Sequence, residues 1–462
     1  YIPDRHDEGY GLHQDAIDQF IEDGINLLIT FDLGITAVEE VAKAQASGID
    51  VIITDHHIPQ EEIPRAYAIL NPKQDGDEYR DKMLCGAGIA FKLIQALILK
   101  YGEFWKINKG WEKWLLDMAG VATLSDQVPL LDENRVLAFY GLKVLQKARR
   151  PGLSELFKKA GVNITKVNEE DVTFTLAPRI NAASRMASPM KAFEILATND
   201  LVEARTLSDY LAKINDERKI MVAQIMKQVK SVLSKREEKS IVFIGNPSWR
   251  IGVLGIIASK IVDEYKRPAF VWGSDGGGET KGSCRSFGNL NLVETMTKLP
   301  EGSLLGFGGH KGAGGFSVSH EQIHFLEEKL LSIIDNKTEV EIENEINLNI
   351  DANIEIDDVN NENYNVIKKL APFGIGNQKP TFLFKNIKIY MMKEFGKEKN
   401  HLELSFKNSR GKIVKAIAFF KTSSSYNSTL SVGDKINMVA TFEKNSFAGR
   451  EELRLRIVDL YQ

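Results

Sequence analysis

Apolar and polar positions change period several times along the 462 residues of the chain. Near the N terminus two short apolar runs, Asn26-Leu27-Leu28-Ile29-Thr30-Phe31 and Val51-Ile52-Ile53-Thr54, flank a segment where Val38, Val41 and Ala42 recur at helical spacing. Thr36-Ala37-Val38-Glu39 reads as a capping box and Gly48 as a stop, so the pattern predicts a parallel βαβ unit. Helical patterns follow at 89–99, 111–122 and 154–161. Residues 191–235 contain neither Gly nor Pro, and Met221, Val222, Ile225, Met226, Val229 and Val232 form one face, which predicts a long connecting helix. A second α/β region starts with a strand at 240–244 and runs to about residue 334. Beyond the acidic, Asn-rich stretch 339–362, runs at 402–406, 416–420, 436–442 and 453–458 predict a small OB-like β-barrel.

Length alone favours about three domains. A composition of 43% hydrophobic and 26% charged residues is that of a globular chain, and no apolar run reaches the roughly 18 residues of a membrane span. The N-terminal Tyr1-Ile2-Pro3-Asp4-Arg5 has no secretory pattern, and Cys85 and Cys284 are too few for a disulfide framework or a thiolate cage. A cytoplasmic protein without membrane contact is expected. The net charge of −4 conceals asymmetry, because residues 381–462 hold 15 Lys and Arg against 8 Asp and Glu. A basic barrel suits a phosphate backbone, although a solvated lysine-rich surface would look the same.

The candidate chemistry sits at strand ends. Asp32 closes the first apolar run and Asp55-His56-His57 the second. In an open parallel sheet the working crevice lies beyond the carboxyl ends of the strands, so these groups should meet there and suit a divalent cation such as Mn²⁺ or Mg²⁺. Asp126, in Ser125-Asp126-Gln127-Val128-Pro129, offers a further carboxylate. Each has a plainer alternative: a helix cap for Asp32, a surface turn for the Asp-His-His run, a turn before proline for Asp126. Farther on, Lys281-Gly282-Ser283-Cys284-Arg285-Ser286 and Gly308-Gly309-His310-Lys311-Gly312-Ala313-Gly314-Gly315 are glycine-flanked turns where backbone N–H groups, Arg285 and His310 could approach a phosphate. Tight helix-on-sheet packing is the alternative for these glycines.

In combination these motifs become specific. Thr54-Asp55-His56-His57 resembles the motif that names the DHH phosphoesterase superfamily, and Asp32-Leu33-Gly34-Ile35 its Asp-x-Gly-Ile element. Asp126 occupies the place of the third carboxylate motif, with Asp117 upstream as in the RecJ branch. Pro178-Arg179-Ile180-Asn181-Ala182-Ala183-Ser184-Arg185-Met186 resembles a RecJ signature in which glycine replaces Ser184, the two glycine-rich segments resemble the DHHA1 hallmarks, and Pro372-Phe373-Gly374-Ile375-Gly376-Asn377 resembles the element leading into the RecJ OB domain.

The resemblance to RecJ single-stranded-DNA exonucleases implies an α/β architecture. It comprises a parallel-sheet DHH domain (1–190), a connecting helical segment (191–237), an α/β DHHA1 domain (238–335) and an acidic linker with an OB-like barrel (336–462). It implies two-metal phosphodiester hydrolysis with Mn²⁺ or Mg²⁺, 5′-to-3′, in DNA repair and recombination. Asp32, His56 and Asp126 would be metal ligands and Asp55 and His57 catalytic groups, with His57 at the scissile phosphate. Arg179, Asn181, Arg185, Arg285, Ser286, Gly309 and His310 would hold the nucleic acid. Single-stranded DNA is the implied partner of a monomer, together with a single-strand-binding protein and a RecQ-type helicase.

The family's first motif, an Asp-x-Asp pair, has no counterpart before Ile2-Pro3-Asp4-Arg5, and neither Asp4 nor Asp7 ends an apolar strand. The expectation is therefore an N-terminally truncated member, holding at most one ion and nearly inactive alone. Two other readings compete: a DHH/DHHA1 phosphodiesterase of dinucleotides or short oligonucleotides, and a single-strand binder impaired in catalysis. The long helix and basic barrel argue against the first, and retention of Asp32, His56 and Asp126 against the second.

Overall fold

In the computed structural model, which describes residues 1–4, 11–274, 279–334, 348–396, 399–426, 429–447 and 450–461, the first apolar runs become strands β1 (Leu27–Phe31) and β2 (Asp50–Thr54). Asp7 and residues 339–347 of the acidic stretch 339–362 lie outside the described residues. β1 pairs in parallel with β2, Leu27 opposite Asp50 and Phe31 opposite Thr54, and β2 pairs in parallel with β3 (Ala68–Leu70). Their carboxyl ends are therefore aligned. Helices α1 (Gln14–Glu22) and α2 (Val38–Ala46) contribute Ile17, Val41 and Ala44 to a core with Ile49, Val51 and Ile53.

The capping box expected at Thr36 does not form. Helix α2 begins at Val38, its cap residue Ala37 has no side-chain hydrogen bond, and the Ala37 N–H donates to the Gly34 carbonyl at 3.0 Å. The chain thus enters the helix from a tight turn imposed at the end of β1.

Helices α3 (Gly86–Tyr101), α4 (Leu116–Ser125), α5 (Asp132–Leu145), α6 (Pro151–Lys159), α7 (Ala177–Met186) and α8 (Met190–Ala197) follow, with a π-helical turn, Asp171–Leu176, leading into α7. Gly120 and Gly141 let α4 and α5 touch backbone to backbone, since a side chain on either would meet the other's Cα. The long helix expected over 191–235 is in fact two. Asp200 accepts from the N–H groups of Val202 (2.6 Å) and Glu203 (3.0 Å), starting a new helix, α9 (Leu201–Leu233).

α9 is more than a connector. Its Val222, Ile225, Met226 and Val229 are buried with Val253, Leu254, Ile257 and Ile261 of α10 (Ile251–Tyr265) against Val242, Ile244 and Val271 of a second sheet. Each such side chain contributes roughly 1.5–3 kcal/mol on burial, which ties the helix to that sheet. Strands β4 (Val242–Gly245), β5 (Ala269–Gly273), β6 (Glu279–Arg285), β7 (Gly306–His310) and β8 (Ala313–Ser319) lie in the order β4-β5-β6-β8-β7. Leu292 and Met296 of α11 (Leu292–Thr297) and Leu326 and Leu330 of α12 (Ile323–Ile334) cover its other face.

The chain divides into two compact units, Tyr1–Asp126 with Val136–Glu345, and Gln127–Arg135 with Ile346–Gln462. The second contains helix α13 (Asn361–Lys368) and strands β9 (Ala352–Asn353), β10 (Phe382–Lys388), β11 (Met391–Phe395), β12 (His401–Lys407), β13 (Ile413–Ala418), β14 (Lys435–Phe447) and β15 (Arg450–Tyr461). Their order is β11-β12-β13-β15-β14-β10-β9, and β13 pairs in parallel with β15. Phe384, Leu402, Leu404, Phe406, Ala416, Met438 and Leu455 fill the interior. The strand expected at 416–420 stops at Ala418, because Phe420 has φ +56° and leaves the ladder. Among the described residues no helix is long and apolar enough to cross a membrane.

Candidate active site

The end of β1 is shaped to present Asp32. Its N–H still pairs with the Thr54 carbonyl (2.9 Å), but its φ is +66° and that of Gly34 is +113°, so the chain turns sharply away from the sheet. A side chain on Gly34 would meet Thr30 Oγ1 at 2.8 Å, and one on Gly86, at the start of α3, would collide with the Asp32 carboxylate. Two glycines therefore make room for one exposed carboxylate.

Asp55 behaves in the opposite way. It is 1% exposed, and its oxygens accept from the N–H groups of Ile35 (3.0 Å), His56 (2.7 Å) and His57 (3.2 Å) and from His57 Nδ1 (2.7 Å). Burial pushes its pKa up, but the hydrogen bonds from His57 and the backbone outweigh burial and hold the carboxyl below its ordinary range. The same hydrogen bond raises the His57 pKa against the effect of burial, with Asp55 and Asp32 adding attraction. His57 is thereby fixed with Nδ1 on Asp55 and Nε2 free for another partner.

His56 Nε2 lies 3.0 Å from Asp32 Oδ1 and 3.9 Å from Asp126 Oδ2. One ligand atom from each of Asp32, His56 and His57 lies within 4.8 Å of the others. Asp126 follows the last residue of α4, where the negative end of the helix dipole favours a cation. A donor set of carboxylates and imidazoles gathered from β1, β2 and α4 fits Mn²⁺, and with its oxygens also Mg²⁺. Asp117 stands apart: it is buried and takes hydrogen bonds from Arg150 Nε (2.8 Å) and the Met118 N–H (2.7 Å).

The end of β3 adds groups that the reading of the sequence missed. Buried Asn71 donates to the His57 carbonyl (2.9 Å), and Lys73, whose pKa burial lowers, is within electrostatic reach of Asp126 and Asp55. Three residues of strand, Ala68–Leu70, were too short a pattern to find.

The expected phosphate-binding residues fall into three places. Arg285 and His310 both stand opposite Ala313, on either side of β8, while Gly309 has φ +138°. Ser286 Oγ donates to the Leu290 carbonyl at 2.5 Å. Arg185 of α7 donates to the Gly252 carbonyl (3.1 Å), and a side chain on Gly255 would press on the Arg285 guanidinium, so Arg185 and Arg285 gather at the first turns of α10. Arg179 donates to the Thr175 carbonyl (2.6 Å) and Asn181 is exposed on α7.

Within the barrel, register puts three aromatic rings on adjacent strands. Phe395 of β11 is opposite His401 of β12, their centroids 5.2 Å apart, and His401 is 5.1 Å from Phe419, which follows β13. Since Leu402, Leu404 and Ala418 face the core, alternation turns these rings outward. Arg456 lies 4.0 Å over the Phe419 ring, and Phe420, 79% exposed, adds a ring 4.9 Å from His401.

The chain matches the DHH family N-terminal domain over residues 1–123, the DHHA1 domain over 237–336 and the RecJ OB domain over 350–459. It is 30% identical over 472 residues to the single-stranded-DNA-specific exonuclease RecJ of Haemophilus influenzae, spanning 99% of this chain and 81% of that protein. The chain belongs to the RecJ family. RecJ of Bacillus subtilis is 36% identical over 461 residues, covering 99% of this chain and 57% of that protein. The crystal structure of RecJ from Thermus thermophilus in complex with Mn²⁺ aligns with a TM-score of 0.80 at 25% identity, covering 97% of this chain and 64% of that one. The chain thus spans less than two thirds of the length of these last two RecJ proteins.

Proposed function

We propose that this chain carries the catalytic part of a metal-dependent single-stranded-DNA exonuclease, acting 5′-to-3′ in repair and recombination. The convergence of Asp32, His56, His57 and Asp126 at aligned strand and helix ends carries the reading. Asp32, His56 and Asp126 would hold one Mn²⁺ or Mg²⁺. Such an ion, when bound, acidifies water and draws charge from the attacked phosphate.

The protein's own groups do the rest. Asp55, with its oxygens taken by four donors, fixes His57. A His57 that favours the imidazolium is a poor ligand and a good donor, so its Nε2–H meets a phosphate oxygen. Arg285 and His310, with Arg185, Arg179, Asn181, Ser286 and the Gly309 backbone, hold neighbouring phosphates. The outward aromatic row of the barrel supports a strand as substrate rather than a dinucleotide, since successive bases can stack on it. The four-part division into DHH, connecting, DHHA1 and OB segments, the monomeric state, the cytoplasmic location and the two protein partners belong to the same proposal.

The test is Mn²⁺-dependent release of nucleotides from a 5′-labelled single strand, beside a duplex and a dinucleotide. Preferential digestion of the single strand, lost in Asp32→Asn, is expected. Preference for the dinucleotide would overturn the reading.

A further inference from the structure

Two half-buried guanidinium groups lie along the seam where α7 packs on α9, and the intramolecular bonds leave both incomplete. Arg218 of α9 makes no hydrogen bond or ion pair among the described residues, and its buried Nε has no acceptor. The buried Nε of Arg179 likewise has none. Met186 of α7 packs against the core cluster that holds Val222 of α9, which brings the two helices together near this level, and Asp216 of α9 acts electrostatically on Arg179. One turn before Arg218 on the same face, Asn215 is 1% exposed and its Oδ1 is unpartnered. Val222, a turn further on, is buried in the core.

For Arg218 the acidic neighbours supply no counter-charge, and burial alone lowers its pKa. Asp216 pairs with Lys219 at 3.0 Å and Glu217 lies 4.0 Å from Lys213, both on the exposed side of α9. A guanidinium taken partly out of water without a counter-charge is costly, and a planar fork of donors matches the two oxygens of a phosphate.

We infer that Arg218, with Arg179 and Asn215, forms an anion site in the α7–α9 seam that receives a phosphodiester group of the bound strand. It rests on the single-strand reading proposed above, and adds a contact far along the chain from the strand-end carboxylates. Arg218 contributes the fork, and buried Asn215 lies one turn before it on the same face of α9. No covalent step is involved.

The full chain tests this in EDTA, where no cleavage occurs. Fluorescence anisotropy with a labelled single strand of about 12 nucleotides is measured against salt for wild type, Arg218→Met and Arg218→Lys. Arg218→Met should bind about tenfold or more weakly, with a log–log salt slope shallower by about 0.7, whereas Arg218→Lys keeps the slope. The melting temperature of free Arg218→Met should equal or exceed that of wild type, since an unpaired buried charge is removed. Inorganic phosphate should raise the wild-type melting temperature more than that of Arg218→Met. Unchanged binding and slope in Arg218→Met, or a lowered melting temperature with no difference in the response to phosphate, overturns the site. Failure of wild type itself to bind the strand overturns the single-strand reading, and a phosphate response lost in Arg218→Met would then show an anion site serving another ligand and overturn the strand assignment.

Discussion

Asp55→Asn separates the residue that builds the site from those that would use it. The carboxylate is 1% exposed and receives four hydrogen bonds, three on Oδ1 and one, from the Ile35 N–H at 3.0 Å, on Oδ2. An amide can keep its carbonyl toward His56 and His57, but its NH₂ then faces the Ile35 N–H, donor against donor. Bonds to a charged acceptor contribute about 1.5–3 kcal/mol each and an unmet buried donor costs about 1–3 kcal/mol, so losing one bond and weakening three should cost about 3–5 kcal/mol. Asp32→Asn is the control: its side chain is 61% exposed, and the substitution should cost about 0.5 kcal/mol or less. Denaturant unfolding of the metal-free proteins at pH 7 measures both. If the two substitutions destabilise equally, or Asp55→Asn costs less than about 1 kcal/mol, the assignment of Asp55 as the internal anchor is wrong.

The same pair gives a pH signature. The folded-state pKa of Asp55 is lowered, so its stabilisation is present above the unfolded carboxyl value near 3.9 and is lost as pH falls through the folded value. That of His57 is raised, so its stabilisation is complete below about 6.5 and fades as pH rises through the folded value. Because the His57 side chain is 45% exposed, solvent weakens the second effect. Asp55→Asn should flatten both limbs.

Other substitutions probe the remaining parts. Gly86→Ala drives a methyl into the Asp32 carboxylate and should weaken Mn²⁺ affinity by about 10–100-fold, read by calorimetry; unchanged affinity would place the ion elsewhere. Asp117→Asn breaks a buried pair with Arg150 and should destabilise by about 3–5 kcal/mol while leaving Mn²⁺ affinity of the folded protein unchanged. Phe420→Gly removes an exposed ring where φ is +56° and glycine fits better, so single-strand affinity should drop by about 1–3 kcal/mol with no loss of stability in thermal unfolding; a lowered melting temperature would instead make the ring a packing element.

How much of this was legible depended on the range over which each signal acts. The βαβ unit was readable because β1 and β2 are continuous apolar runs, and Asp32 and Asp55-His56-His57 were found because they sit where those runs stop. The capping box failed because Asp55, twenty residues from Ile35, takes the Ile35 N–H and sets the turn before α2, a contact absent from any local pattern. The break between α8 and α9 was present in Thr198-Asn199-Asp200, but the absence of Gly and Pro concealed it. Lys73 and Asn71 were missed because β3 is too short to mark a strand end. Arg218 was not singled out within the helical stretch 191–235, because its meaning comes from acidic neighbours that pair with lysines instead.

The adjacent residues Asp55, His56 and His57 illustrate why a motif of three titratable residues need not be three equivalent ligands. Asp55 points inward, 1% exposed, and spends its acceptors on the backbone and on His57. His56 turns to Asp32 and Asp126, with 14% of its side chain exposed, while His57 is 45% exposed and its Nε2 has no hydrogen-bond partner among the described residues. One is an anchor, one is suited to a metal and one to a substrate, and their order follows from the strand's alternation of inward and outward side chains breaking down at the turn. Removing the anchor should therefore weaken the fold and misplace His57 together, whereas removing His57 takes one of four donors from Asp55, so it should cost the fold less and strike the reaction directly.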